Sequence, residues 1–395
     1  MRKISANYIF SPHTGFLKNA IVLLDDNGKV IDLRPGSNPA REEAGTEFYN
    51  GIICPGFINS HCHLELSHLK GKIPESVGLD QFIYSVVTRR QSEKSEIHKA
   101  ILDADDEMKR EGIVAVGDIS NREDSFDVKS KSNIHYHTFI EIFNMVNREA
   151  LSTFNKGMEL YRIAREKYNL SVSVVPHAPY SVSEKLFELF RTELRDTDNR
   201  FSIHNQETRY ENEFISNLSG PLYEVFRKLG MEKGDSKKRN VRSMEYLLGS
   251  IPSENPLILV HNTHTGPEDI LNSNPDLTRT FFCLCPNSNL YISSELPGSY
   301  LPDHYPDNVC IGTDSLSSNH RLSVIEELKT LQEHHRHLSL DTLLKFATLN
   351  GARSLGLEAE IGSFETGKTP GVNLIEYADL QNLKLLPGSK IKKLV

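Results

Sequence analysis

The stretch PGFINSHCHLELS (residues 55–67) places two histidines, His61 and His63, near the end of an apolar run. If this run forms a buried strand, its side chains alternate between two faces, so residues two apart point the same way. Such a strand offers both imidazoles to one metal ion. Because a His-x-His pair also occurs in ordinary protein cores, its meaning depends on the polar residues further along the chain.

The composition is that of a soluble globular protein. Of the 395 residues, 38% are hydrophobic and 25% are charged, and no stretch approaches the ~20 apolar residues of a membrane span. The net charge of −8 argues against a nucleic-acid partner. Five scattered cysteines argue against a disulfide framework, and the opening MRKISANYIF lacks the apolar core of a signal peptide. We therefore predict a cytoplasmic protein that binds a small molecule and neither nucleic acid nor membranes.

Eight apolar runs follow one another along the chain, and most of the gaps between them hold a helical pattern. The runs cover residues 56–63, 112–120, 133–143, 170–180, 201–208, 256–264, 279–289 and 308–315. Such alternation predicts an α/β fold, either a doubly wound sheet or a closed (β/α)8 TIM barrel. In six of the eight runs, His, Asp or Asn residues cluster at the C-terminal end, as at a barrel mouth, and the sequence contains no glycine-rich phosphate loop. We therefore predict the barrel.

The first ~50 residues lack this alternation of strands and helices and predict a small β unit. In AIVLLDDNGKVIDL (20–33), the turn Asp26-Asn27-Gly28 separates two apolar runs. Asn-Gly between such runs is a strong signal for a β-hairpin.

Potential metal ligands stand at the ends of several predicted strands. The first run supplies His61 and His63, and the later ones supply His177, His204, His261, His264 and Asp314. Three imidazoles and a carboxylate suit Zn²⁺ or Fe²⁺ with one position open for water. Glu207 lies three residues after His204, close enough to exchange a proton with a metal-bound water.

Several sequence blocks resemble those of the amidohydrolase superfamily, in its branch of mononuclear aminohydrolases. They are PGFINSHCHLELS (55–67), HAPYSVS (177–183), HNQET (204–208), HNTHT (261–265), CPNSNLYIS (285–293) and GTDSLSSN (312–319). The C-terminal GARSLGLEAEIGSFETGKTPGVNLIEY (351–377) also resembles the family's return into a small β domain. The resemblance implies a barrel over 55–357 and a small β-sandwich domain formed by 1–54 and 358–395.

The resemblance also assigns roles to individual residues. It implies one divalent metal ion, with zinc favoured over iron, because His177 stands where the two-metal branch has a lysine. Glu207 would be the proton shuttle, and His261 would polarise the attacking water together with Asp314. His177 would contact the substrate base. The implied metal ligands are His61, His63, His204 and Asp314.

The implied activity is hydrolytic deamination of an aminated heterocycle with release of ammonia. The blocks look most like deaminases of 6-aminodeoxyfutalosine, followed by those of adenosine and S-adenosylhomocysteine. Two alternatives stay open: hydrolysis of a cyclic amide or of a chlorotriazine at the same site, and a non-enzymic barrel relative. Members of the family often form dimers, so a homodimer is an open expectation.

The roles of other polar residues depend on the path of the chain. On a continuing strand, Glu65 would face the mouth and bond a ribose or ring nitrogen; alternatively it is a salt-bridged carboxylate. Asn289 is expected near the base of the pocket, and the charged segment 230–240 is either a lid or a surface loop. We expect a packing or supporting role for His135 and His137. His264 competes with His261 for the role on the sixth strand, but it lies beyond the strand end and is the less favoured of the two. For Arg89 and Arg90 we expect a solvated helix face, with binding of a substrate anion at the mouth as the alternative.

Overall fold

The computed structural model describes residues 1–36 and 43–395. Its strands are β1 (Arg2–Ser11), β2 (Gly15–Lys18), β3 (Ile21–Leu24), β4 (Val30–Arg34), β5 (Thr46–Pro55), β6 (Phe57–Cys62), β7 (Ile113–Ser120), β8 (His135–Ile142), β9 (Ser171–Pro176), β10 (Phe201–Asn205), β11 (Leu257–His261), β12 (Thr280–Leu284), β13 (Val309–Ile311), β14 (Val372–Glu376) and β15 (Lys390–Lys393). Its α-helices are α1 (Leu79–Arg89), α2 (Lys94–Arg110), α3 (Phe126–Lys131), α4 (Ala150–Arg162), α5 (Glu184–Glu193), α6 (Tyr210–Asn217), α7 (Pro221–Lys228), α8 (Ser243–Ser250), α9 (Pro267–Ser273), α10 (Pro286–Ser293), α11 (Tyr300–His304), α12 (Val324–His334), α13 (Leu340–Lys345) and α14 (Gly351–Leu355). This content confirms the predicted α/β class.

The two ends of the chain share one seven-stranded sheet. Its order is β15-β14-β5-β1-β3-β4, and β2 pairs with the outer part of β1. The structure contains the predicted hairpin, because β3 and β4 pair antiparallel on either side of the Asn-Gly turn. Asp25 Oδ1 accepts hydrogen bonds from the amides of Asn27 and Lys29, both at 2.9 Å, and Gly28 adopts a φ of 81° that favours glycine.

The eight predicted runs form two parallel sheets of four strands each, β6-β7-β8-β9 and β10-β11-β12-β13. Backbone hydrogen bonds also join the strand ends of the two sheets. The His204 amide donates to the His177 carbonyl at 3.0 Å, and the Thr313 and Asp314 amides donate to the His61 carbonyl, both at 3.1 Å. These bonds bring the carboxyl ends of β6, β9, β10 and β13 together.

Three local features add detail to the predicted runs and gaps. The gap between the first two runs holds two helices, because α1 ends at Arg89 and α2 begins at Lys94. The seventh strand is shorter than its run: it ends at Leu284, and Pro286 begins α10, a position where its missing amide hydrogen costs nothing. His135 and His137 lie in the first part of β8, and the two ring nitrogens of His137 lie 2.8 Å from Ser171 Oγ and 2.9 Å from Ser173 Oγ.

Apolar side chains form one large core between the strands and helices, and a separate group covers the carboxyl ends of the strands. We call this second group the cap cluster. Its buried members are Ile73, Leu79, Phe82, Met145, Ala178, Tyr180, Phe214, Ile215, Leu222, Val225, Phe226 and Ile292. The cap cluster matters because it encloses the space above the strand ends.

Among the residues described, no helix combines the length and hydropathy needed to cross a bilayer.

A fully buried ion pair supports the strand that bears the two histidines. Lys129 Nζ on α3 contacts Asp118 Oδ2 at the end of β7, and it also donates to Ser120 Oγ at 2.8 Å. Asp118 Oδ1 in turn accepts a hydrogen bond of 2.7 Å from the Leu64 amide, directly after His63. Asp118 thus connects the buried cation to the backbone beside His63.

Replacing Lys129 with Met should lower the free energy of unfolding by about 3–5 kcal/mol, because Asp118 would remain buried without its cation. Urea denaturation measures this change. The matched control is Lys131→Met on the same helix, whose ammonium group pairs with Asp127 in solvent. The control should stay close to wild type, because exposed ion pairs contribute little. If both variants lost the same free energy of unfolding, the buried ion pair would contribute no more to stability than the exposed one.

Candidate active site

Three imidazoles converge where β6 and β10 end. The Nε2 atom of His63 lies 3.1 Å from Nε2 of His61 and 3.3 Å from Nε2 of His204. Asp314 follows β13, and its Oδ1 lies 3.5 Å from His63 Nε2 and 3.7 Å from His61 Nε2. All four side chains are buried. The structure therefore brings together the four residues that the sequence assigns as metal ligands.

The donor set fits a divalent metal ion. Burial, followed by the neighbouring imidazoles, lowers the pKa of His61 well below its ordinary value, and burial lowers the pKa of His63 to about 3, so both rings are neutral. His204 Nδ1 lies 2.9 Å from the His177 carbonyl oxygen; a proton donated there leaves the Nε2 lone pair facing the other rings. Three such lone pairs and a carboxylate match the ligands of zinc in hydrolytic sites.

Two serines orient the carboxylate of Asp314. Its Oδ2 accepts hydrogen bonds from Ser288 Oγ at 2.7 Å and from Ser318 Oγ at 2.6 Å, which directs Oδ1 towards the imidazoles. Burial acts to raise the pKa of Asp314, but its electrostatic interactions with the His63 and His261 rings and these hydrogen bonds hold it below its ordinary value. Asp314 is thus an ionised oxygen donor at neutral pH.

The backbone is strained where the strands end. His261 has a φ of 73°, Asp314 a φ of 55° and Gln206 a φ of 46°. Such left-handed conformations cost about 1–3 kcal/mol each outside glycine and concentrate at functional sites. Close packing also restricts position 312 to glycine, because the Cβ of a larger residue there would lie 2.8 Å from the Cβ of His61.

Glu207 and His261 form a pair beside the four-residue cluster. Glu207 Oε1 lies 3.7 Å from His261 Nε2, and Asn289 Nδ2 lies 3.4 Å from His261 Nδ1. Burial raises the pKa of Glu207 well above its ordinary value, and the charges of Asp314 and Glu211 raise it further. Burial lowers the pKa of His261 to about 3. The pair therefore consists of a carboxyl group whose surroundings favour its protonated form and a neutral imidazole.

A cavity opens above these residues. His63, His204, Glu207, His261 and Asp314 line its floor. One wall is apolar and comes mostly from α1 and the cap cluster: Leu66, Leu79, Phe82, Ile83, Val86, Val87, Phe226 and Met231. A second part of the lining, the polar wall, carries polar groups from the ends of β7, β8 and β9: Asn121, Glu141, His177 and Ser181, with Arg90 from the residue after α1. The rings of Phe143 and Tyr180 lie beside His177, so the cavity combines apolar and aromatic surface with a group of polar side chains.

The three residues predicted to bind the substrate occupy three different positions relative to the cavity. His177 lines the cavity, and its Nδ1 lies 2.8 Å from Ser181 Oγ. Asn289 lies behind His261 and contacts its ring. Glu65 faces away from the cavity: β6 ends at Cys62, and a 3₁₀ turn over Leu64–Leu69 replaces the continuing strand.

Glu65 forms internal contacts in this position. Its Oε1 accepts a hydrogen bond from Arg90 Nη2 at 2.8 Å, and its Oε2 accepts from the amides of Asn121 and Arg122 at 3.0 and 3.1 Å. Glu65 is therefore a salt-bridged carboxylate, the second of the two roles expected for it from the sequence. The expectation that Arg90 lies on a solvated helix face is wrong, because its side chain is only 18% exposed and lines the cavity.

Sequence reasoning also missed Asn121 and Glu141. Glu141 had a detectable signal, since it is a lone carboxylate near the end of the apolar run 133–143. His264 lies outside the cavity floor, with its Nε2 3.0 Å from Glu295 Oε2. From the segment 230–240, Met231 contributes to the apolar wall, while a lid function for this segment stays a prediction.

Comparison with known proteins supports the resemblance that the sequence blocks indicate. A model of the amidohydrolase family matches residues 52–393. The chain is 24% identical to a 5-methylthioadenosine/S-adenosylhomocysteine deaminase of Saccharophagus degradans, over 96% of this chain and 84% of the relative. The structure of Helicobacter pylori aminofutalosine deaminase with methylthio-coformycin aligns with a TM-score of 0.78 at 22% identity, covering 96% of this chain and 93% of that one. An Arthrobacter aurescens atrazine chlorohydrolase complexed with zinc aligns with a TM-score of 0.72 at 18% identity, covering 94% and 86%. At these identities the structural likeness shows a shared fold.

Replacing His61 with Ala should abolish stoichiometric zinc binding, because one of three nitrogen donors is lost. Wild-type protein loaded with zinc and then dialysed should retain one equivalent by elemental analysis. His264→Ala is the control, since it removes an imidazole outside the cluster, and it should retain zinc as wild type does. A His61→Ala protein that keeps a full equivalent would refute the ligand assignment.

Proposed function

The chain belongs to the amidohydrolase family, and on this basis we propose that it is a metal-dependent hydrolytic deaminase of an adenine-type nucleoside such as 6-aminodeoxyfutalosine. The observation that carries the proposal is the pair of Glu207 and His261 beside the four-residue cluster, on the floor of a cavity with an apolar wall. The deaminases among the similar proteins support the same reaction class.

His61, His63, His204 and Asp314 would hold the metal ion, with zinc favoured over iron. When bound, such an ion lowers the pKa of water towards ~7 and so supplies a nucleophile at neutral pH. The zinc complex of the chlorohydrolase with the same fold supports this choice of metal.

The remaining steps are assigned to side chains of the chain itself. His261 and Asp314 orient the water that attacks the ring carbon bearing the exocyclic amine. Burial raises the pKa of Glu207 and so favours its protonated form, which donates its proton to the ring nitrogen next to that carbon. The attacking water returns one of its two protons to Glu207 and gives the other to the amine, so that its oxygen remains as the product carbonyl and the amine leaves as ammonia. The apolar wall excludes bulk water and packs against the heterocycle, while His177 contacts the base from the polar wall.

The architecture proposed with this function has three segments. Strands β6 to β13 would close into a (β/α)8 barrel over 55–357, supported by the hydrogen bonds between the ends of the two four-stranded sheets. Residues 1–54 and 358–395 would form the small β-sandwich domain, supported by their shared sheet. A homodimer and a cytoplasmic location stay predictions.

A second candidate function uses the same residues. The likeness to an atrazine chlorohydrolase favours displacement of chloride from a triazine, and a cyclic amide could be cleaved by the same attack of water. A non-enzymic role is disfavoured, because the cluster lies at the floor of a cavity, whereas structural metal sites are closed.

Zinc-loaded protein should release ammonia from one member of a panel of adenosine, S-adenosylhomocysteine, 6-aminodeoxyfutalosine, guanine and cytosine. An adenine-type nucleoside should be the best member, because the cavity combines an apolar wall with a polar one. Ammonia is measured by a coupled assay, with chloride release from a chlorotriazine measured in parallel. Chloride release without ammonia release would favour the second candidate function.

Replacing Glu207 with Gln should lower kcat by about 10²- to 10⁴-fold, because the amide cannot hold or donate the proton. The zinc content should stay at one equivalent, since Glu207 is not among the assigned ligands. Glu295→Gln, which changes a carboxylate next to His264, serves as the control and should retain wild-type turnover. A Glu207→Gln protein with full activity would mean that another group moves the proton.

A further inference from the structure

Gln206 is a fully buried residue that has no role in the proposed reaction, although it directly precedes Glu207. It follows Asn205, the last residue of β10, and its φ of 46° is left-handed. For a residue other than glycine this conformation is unfavourable, and it persists only where the surrounding contacts hold it. The contacts of Gln206 therefore show what maintains the turn before Glu207.

Two hydrogen bonds hold the Gln206 side chain. Its Oε1 accepts from Thr265 Oγ1 at 2.6 Å, in the segment after β11, and its Nε2 donates to Asp269 Oδ1 at 2.7 Å, in the first turn of α9. These partners fix the orientation of the amide, because a carboxylate accepts and cannot donate. The Gln206 carbonyl also accepts from the His264 amide at 3.0 Å. Gln206 thus ties the end of β10 to the segment after β11.

Asp269 is itself held in place. It is 1% exposed, and Arg242 binds both of its oxygens, through Nε at 2.6 Å and Nη2 at 3.1 Å. The Gly266 amide also donates to Oδ2 at 3.0 Å. Because a bidentate guanidinium pair fixes the geometry of a carboxylate, the Gln206 amide is bonded to an acceptor that cannot shift freely.

The turn after β11 is joined to the same strand end. His261 and Asn262 are left-handed, with φ of 73° and 55°. The Asn262 amide donates to the Asn205 carbonyl, and Asn205 Nδ2 donates to Asn262 Oδ1, both at 3.0 Å. Glu207 and His261 thus belong to two turns that hydrogen bonds connect, and their Oε1 and Nε2 atoms lie 3.7 Å apart.

The backbone at position 206 decides where Glu207 points. Side chains alternate along a strand, so in a strand that continued past Asn205, Glu207 would lie on the face opposite to His204. The left-handed turn at Gln206 ends this alternation. Without the bonds of the Gln206 side chain, the backbone would relax towards the extended conformation and turn Glu207 away from His261.

We propose that Gln206 is a positioning residue, whose hydrogen bonds to Thr265 and Asp269 hold the left-handed turn that places the Glu207 carboxyl group opposite His261. This assignment rests on the proposed function, since it takes Glu207 as the proton donor. It explains why the residue before Glu207 buries an amide bonded to an ion-paired carboxylate. The competing role is stability alone, in which the network joins β10 to β11 without affecting Glu207.

The test separates positioning from stability. Gln206→Glu keeps an acceptor for Thr265 but replaces the donor to Asp269 by an oxygen, so the two carboxylates repel. In zinc-loaded full-length protein, kcat for the best nucleoside of the panel should fall by about 10- to 100-fold, the effect of displacing a catalytic group by ~1 Å. KM should stay within about threefold of the wild-type value, because the cavity lining is unchanged.

A second substitution should restore the turn. Adding Asp269→Asn gives the new carboxylate a donor again, with donor and acceptor exchanged between the two positions, and leaves one carboxylate in the network for Arg242. The double variant should regain most of the kcat that Gln206→Glu loses. A role in stability alone predicts further loss instead, because each substitution then removes native contacts.

Thr265→Val is a milder variant that decides the question if Gln206→Glu does not fold. It removes the hydroxyl group that donates to Gln206 Oε1. It should lower kcat by about 3- to 10-fold, the equivalent of one neutral hydrogen bond. The zinc content of every variant, measured by elemental analysis, should stay at one equivalent, because the assigned ligands are unchanged.

Gln332→Glu is the matched control. The Gln332 amide also uses both of its ends, since Nε2 donates to the Leu385 carbonyl at 2.8 Å and Oε1 accepts from the Leu385 amide at 2.9 Å. It lies on α12, in a groove separate from the cavity. The control introduces the same charge and removes the same kind of donor, and it should retain wild-type kcat.

Crystal structures of the zinc-loaded proteins give a readout that does not depend on turnover. The distance of 3.7 Å between Glu207 Oε1 and His261 Nε2 should lengthen by ~1 Å or more in Gln206→Glu and return in the double variant.

Four results would overturn the assignment: wild-type kcat in Gln206→Glu or Thr265→Val, an equal loss in Gln332→Glu, a double variant no more active than Gln206→Glu, or an unchanged distance between the two groups. A different result would refute the proposed function alone. If wild-type protein releases no ammonia from the panel while the distance changes as expected, the positioning role stands and the deaminase does not.

Discussion

The crowding of three neutral imidazoles around one point is the constraint on which the rest of the site depends. The Nε2 atoms of His61 and His204 both lie within 3.3 Å of His63 Nε2, and all three side chains are buried. Lone pairs at such distances repel unless a cation or a shared proton lies between them. The neighbouring groups serve the same arrangement: the His177 carbonyl fixes the proton on His204, and two serines fix the orientation of Asp314.

This arrangement requires unfavourable backbone conformations where the strands end. Parallel strands deliver their carboxyl ends to one edge, but a strand that simply continued would alternate its side chains past the site. The left-handed residues Gln206, His261 and Asp314 end this alternation at the proposed site. The ion pair of Lys129 and Asp118 supports the end of β6 through the Leu64 amide. Left-handed backbone and a buried ion pair thus both shape the strand ends around the proposed metal position.

The sequence predicts the features that depend on local spacing. Two histidines two residues apart share one face of any strand, whereas Glu207 reaches the site because β10 ends at Asn205 and Gln206 is left-handed. Glu65 and Arg90 could not be placed in this way, because a turn after Cys62 and a helix break after Arg89 bring together two residues that are 25 positions apart. The place of Glu141 on the polar wall likewise depends on the ends of β7 and β9, which lie next to it only in three dimensions.

Two glutamates on the cavity lining show how neighbours set the chemistry of a carboxyl group. Burial raises the pKa of both. Around Glu207 the next strongest influences are the carboxylates Asp314 and Glu211, which raise its pKa further. Around Glu141 they are His204, the hydrogen bond from Asn121 and the charge of Arg90, which oppose the effect of burial on its pKa. The protonated form is therefore favoured more strongly at Glu207, beside His261, than at Glu141, where the neighbours oppose the effect of burial.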